Sequence, residues 1–142
     1  MARTRIKICC IESGVEAEVA VAAGADAVGL VSEMPSGPGV ISEEAIARVA
    51  RGVPPGVARF LLTSATDPEQ IAAQQVRTGC EVLQLVAPLG SEAAYRALRR
   101  RLPTIRLVAV VHVQGGAALE EAEALATWVD AVLLDSGSPS AG

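Results

Sequence analysis

Four side chains stand out as able to move a proton or hold an anion: Lys7, Cys9, His112 and Asp135. Lys7 and Cys9 lie two residues apart in the run Arg5-Ile-Lys-Ile-Cys-Cys10, β-branched and apolar enough to form a strand. A strand's side chains alternate between faces, so Arg5, Lys7 and Cys9 share one face and Ile6, Ile8 and Cys10 the other. The second set suits a face covered by helices. The first places the lysine beside a thiol at the strand's C-terminal end, where α/β folds bind ligands. A neighbouring ammonium favours the thiolate, so Cys9 is a candidate reactive group; the competing reading is a small buried hydrophobe, the usual fate of a free cysteine.

The other two have competing readings as well. His112 is the single histidine and the side chain that titrates nearest neutrality. It reads as a hydrogen-bonded structural residue or as a substrate contact. One histidine with three cysteines at no metal-ligand spacing makes a poor zinc set, so no metal is expected. Asp135 follows an apolar strand and could equally cap a helix or close a turn. The arginines at 96, 99, 100 and 101 read as a solvated helix end.

Composition narrows the class. The 142 residues suffice for one domain, 1–142, with a substantial core, and 51% hydrophobic against 20% charged residues is a globular balance. A net charge of −4 and one residue each of Phe, Trp and Tyr argue against a nucleic-acid surface. An odd cysteine count without a secretory pattern points to reduced thiols and the cytoplasm, and no apolar stretch reaches membrane-spanning length.

The elements that must position these residues repeat one unit. Strands are predicted at 5–10, 27–31, 58–62, 82–86, 106–113 and 131–134. Helices are predicted at 15–23, 42–50, 66–78, 91–101 and 118–128, with Ser13 and Ser42 as N-caps and Gly24 and Gly79 as stops. The loop 32–39 and the stretch 136–142 read as irregular. Such regular alternation means right-handed βαβ units and a parallel sheet. A dinucleotide-binding sheet would carry GxGxxG after the first strand, but that position reads Cys10-Ile-Glu-Ser-Gly14. Lys7, Gln84, His112 and Asp135 put polar groups on or at the ends of otherwise apolar strands. That suits the mouth of a β/α barrel better than a sheet covered on both faces. The fold class is therefore α/β, a TIM-barrel-type repeat with six units present and the last two absent.

With these residues in place the chain resembles the phosphoribosylanthranilate isomerase family of tryptophan biosynthesis. Lys7-Ile-Cys-Cys-Ile11 is similar to that family's K-I-C-G-I opening, and Ala23-Gly-Ala-Asp-Ala-Val-Gly29 to its A-G-A-D-A-x-G. Leu83-Gln-Leu85 resembles its V-Q-L-H-G strand and Val132-Leu-Leu-Asp135 its L-L-L-D strand, all in family order. The matches cover about the first two-thirds of a family member. The resemblance implies an Amadori rearrangement of N-(5'-phosphoribosyl)anthranilate, with Cys9 as general base, Asp135 as general acid and no cofactor. Lys7, Gln84, His112 and Gly39 would then contact a phosphosugar substrate. The departures are Cys10 for a glycine, Glu12 for a threonine, Gly39 at an arginine position and Val86 for a histidine. Of these, Cys10 is expected to point outward against a helix.

Two functions follow as expectations: an isomerase of this type, or a non-catalytic barrel fragment that binds a metabolite or assembles with a partner. Six strands in sequential order would leave the first and last with open edges, so self-association is expected.

Overall fold

The computed structural model describes residues 3–35 and 37–137; Ser36 of the predicted loop and residues 138–142 of the predicted irregular stretch lie outside them. Six parallel strands alternate with five helices: β1 Lys7–Ile8, α1 Gly14–Ala22, β2 Ala27–Val31, α2 Glu43–Gly52, β3 Ala58–Thr63, α3 Pro68–Thr78, β4 Val82–Leu85, α4 Glu92–Arg101, β5 Arg106–His112, α5 Ala117–Ala126 and β6 Ala131–Asp135. The sheet order is β1-β2-β3-β4-β5-β6, as one wall of a β/α barrel requires.

Local chemistry explains the boundaries. Ser13, Ser42, Asp67 and Ser91 cap α1 to α4, each accepting a hydrogen bond from a backbone N–H in the first turn. Pro68 sits at the start of α3, where its missing N–H costs nothing, and Gly79 ends that helix at φ 70°. The helices cover one face of the sheet: Val28, Leu30, Leu61, Leu83, Leu85, Leu107 and Val111 are buried among Ile46, Ile71 and Leu98.

The other face belongs to the barrel interior. Parallel register aligns Lys7 with Ala27, Gly29 with Phe60, Leu62 with Gln84, and His112 with Asp135. Lys7 on β1 reaches Gln84 on β4 and lies 4.8 Å from the centre of the Phe60 ring on β3, so the sheet curls until its inner face meets itself. The outer edges of β1 and β6 have no partner strand among the described residues, as sequential order implies.

One expectation needs correction. The first strand is shorter than residues 5–10: its ladder stops at Ile8, and Cys10 takes φ 58° in the left-handed region. Alternation fails there, so Cys10 turns to the inner mouth instead of packing outward against a helix.

Candidate active site

The C-terminal ends of the strands surround a small cavity of about 170 Å³, whose lining includes Cys10, Met34, Pro38, Gln84, His112 and Asp135. Strand parity brings Gln84, His112 and Asp135 there. Met34 and Pro38 come from the long loop after β2, which a bridge between Val31 and Val40 holds against the sheet. Val86, where the resembling family has histidine, also lines it and adds an apolar surface.

Lys7 and Cys9 do not line this cavity, but Lys7 holds Gln84, which does. Its ammonium donates to Gln84 Oε1 and sits over Phe60. Burial holds its pKa below the usual lysine value, while the thiols of Cys9 and Cys10 oppose that effect. Cys9 is exposed and packs over Gly29, where a Cβ would lie 2.7 Å from Cys9 Sγ. Gly29 therefore makes room for the thiol. Cys10 is half-buried; burial raises its thiol pKa first, and Cys9 beside it second.

The opposite side belongs to the end of β5 and β6. His112 Nδ1 lies 3.1 Å from the Gly137 carbonyl oxygen, which can only accept, so that nitrogen carries the proton. The same nitrogen is 4.0 Å from Asp135 Oδ2. Asp135 Oδ1 accepts the Gly137 N–H at 3.0 Å, closing a tight turn after β6. The turn reading of Asp135 is thus realised, and the turn leaves half of its side chain open to solvent beside the imidazole.

Gly39 does not line the cavity but presses on one of its walls. It adopts φ 78°, and a Cβ there would sit 2.6 Å from Cys10 Cβ. The glycine and the inward Cys10 therefore fit as a pair. Glu12 is exposed at the same end of the molecule. Three of the four arginines of α4 are engaged elsewhere: Arg96 pairs with Glu92, Arg99 with Asp130 and Arg101 with Glu69. A larger open depression of about 680 Å³ lies beside the loop after β2, but Glu33, Glu43 and Glu44 line it and suit no anion. No group of three or more metal-ligating side chains occurs among the described residues.

The inner face gathers a lysine, two thiols, an amide, an imidazole and a carboxylate near the strands' C-terminal ends, groups able to give and take protons where β/α barrels place their chemistry. The chain is homologous to N-(5'-phosphoribosyl)anthranilate isomerases. It is 31% identical to the enzyme of that name from Thermosynechococcus vestitus over 97% of this chain and 59% of the relative. It is 36% identical to the one from Halobacterium salinarum over 94% and 59%. No family model matches. Among solved structures, phosphoribosyl anthranilate isomerase from Thermotoga maritima superposes with a TM-score of 0.80 at 28% identity, covering 96% of this chain and 63% of that one. Another isomerase structure, in complex with reduced 1-(o-carboxyphenylamino)-1-deoxyribulose 5-phosphate, gives a TM-score of 0.81 at 28% identity, covering 94% and 65%. The chain spans about three-fifths of the length of the curated relatives it matches.

Proposed function

We propose that residues 1–142 form one unit carrying the acid–base groups of a phosphoribosylanthranilate isomerase, acting on N-(5'-phosphoribosyl)anthranilate in the cytoplasm. The observation that carries this reading is the gathering of Lys7, Cys9, Gln84, His112 and Asp135 on one inner face of a fold homologous to those enzymes. Asp135 gives a proton to the furanose ring oxygen, the C1'–O bond breaks, and a Schiff base forms. The Cys9 thiolate then takes the C2' proton, and the electron pair moves to the imine nitrogen to leave the enolamine. Lys7, held by Gln84, offers a positive charge to the substrate's anionic groups, and His112 hydrogen-bonds beside the acid. Gly39 contributes by letting its loop close over Cys10 at the mouth.

The test is turnover in the chain joined to the remaining two-fifths of a relative such as the Thermotoga maritima enzyme. Cys9→Ala and Asp135→Asn should each cost roughly 10²–10⁴-fold in kcat. Turnover surviving both would overturn the assignment.

A second reading rests on the open edges of β1 and β6. Ile8 and Leu134 on these strands are exposed, and Lys7 is the only charge within β1 to guard it against pairing with another chain. On this reading the 142-residue chain self-associates and turns over poorly by itself. Size-exclusion with light scattering checks it: dimers or larger species support it, and a monomer with ordinary turnover removes it.

A further inference from the structure

Neighbouring cysteines in a regular strand point to opposite faces and cannot act together. Here the left-handed turn at Cys10 breaks that rule. Cys9 lies over Gly29 on the inner face, and Cys10 lines the cavity at its mouth. Gly39, whose missing side chain makes room for Cys10, holds the second thiol there. The third cysteine, Cys80, is fully buried among the helices. The chain thus carries one accessible pair of thiols and one sealed thiol, with an ammonium next to the pair.

We propose that Cys9 and Cys10 form a paired-thiol modification site that takes low-molecular-weight disulfides. The exposed Cys9 thiolate attacks one sulfur of the external disulfide, forming a mixed disulfide and releasing one equivalent of small thiolate. The Cys10 thiolate then attacks the Cys9 sulfur, forming the Cys9–Cys10 disulfide and releasing the second. Two electrons pass from the cysteine pair to the external disulfide, whose two halves leave as thiolates and take up the two protons.

Geometry makes this site reversible. A trans peptide holds adjacent Cα atoms about 3.8 Å apart, shorter than the usual disulfide range of roughly 4.4–6.8 Å. Such a bond is strained and easily reduced. Oxidation removes Cys9 as a base, a consequence that rests on the proposed isomerase role; the bond itself does not.

The experiment exposes the full chain to oxidised glutathione, blocks free thiols with an alkylating agent, and maps the peptide spanning residues 8–48 by mass. Wild type should pass through a glutathione adduct on Cys9 to an internally bonded peptide, and dithiothreitol should restore both thiols. Cys10→Ser should stop at the adduct, and Cys9→Ser should lose the fast reaction. A Cys80→Ser chain should behave as wild type. An adduct on wild type as long-lived as on Cys10→Ser, or first modification at Cys80, overturns the proposal. Because the readout is mass, it stands apart from any isomerase assay.

Discussion

The two ends of the sheet are built differently. At the N-terminal end an acidic residue precedes alternate strands and is tied into the strand before its own. Asp26 accepts the Ile6 N–H at 2.9 Å, Glu81 the Arg59 N–H at 2.9 Å, and Asp130 the Leu107 N–H at 2.9 Å. Each carboxylate also binds an arginine: Arg3, Arg59, and Arg99 with Arg106 respectively. At the C-terminal end the polar groups face a cavity, and no arginine or lysine forms an ion pair with Asp135 among the described residues. One end uses charge to hold strands in register, and the other leaves its polar groups facing a cavity. The contrast parallels the general division of β/α barrels between a stability face and a chemistry face.

The sharpest way to break that comparison is to substitute each end and read both stability and activity. Cys9→Ala and Asp135→Asn should lower kcat by roughly 10²–10⁴-fold in the completed chain while leaving Tm nearly unchanged. The buried Leu83, between the two ends, should behave in the opposite way: Leu83→Ala costs about 2–5 kcal/mol of stability, measured by denaturant unfolding.

A smaller effect tests the fit of the mouth. Gly39→Ala forces a Cβ against Cys10 and into a left-handed backbone, for about 1–3 kcal/mol of lost stability. Adding Cys10→Gly removes the closest contact but leaves the Cys10 Cα at 2.8 Å, so it should recover only part of the loss. Purely additive losses in the double variant would mean that the two positions do not touch.

The smallest effect belongs to the stitched end. Burial alone would raise the Asp130 pKa, but the Leu107 N–H and the guanidinium groups of Arg106 and Arg99 bring it down to about 2 from its usual 3.8. A depressed carboxylate adds stability above its unfolded value and loses it as pH falls towards the folded one. Asp130→Asn should therefore cost about 1–2 kcal/mol at pH 7, after allowance for solvent screening. The gap from wild type should close progressively below about pH 4 and vanish only below about pH 2. A gap independent of pH would show that the charge contributes nothing.

Much of this was legible in the residues. Period two alone places Lys7, Gln84, His112 and Asp135 on one face, because regular strands leave no freedom in parity. Serines before apolar runs marked the helix starts for the same local reason. Cys10 was not legible: a non-glycine residue at positive φ is set by the loop that packs on it, and Gly39 lies 29 positions further on. The stitches at Asp26, Glu81 and Asp130 had a signal that strand prediction passed over, an acid directly before an apolar run in three of the units.

The central claim, that the inner mouth is the ligand site, is tested most directly by amide chemical-shift mapping on the 142-residue chain. The ligand is reduced 1-(o-carboxyphenylamino)-1-deoxyribulose 5-phosphate, titrated to millimolar concentration. The account predicts shifts at Cys9, Cys10, Gln84, His112 and Asp135, with Asp26, Glu81 and Asp130 unmoved. Shifts confined to the acidic depression around Glu33 and Glu43, or to the stitched end, would contradict it.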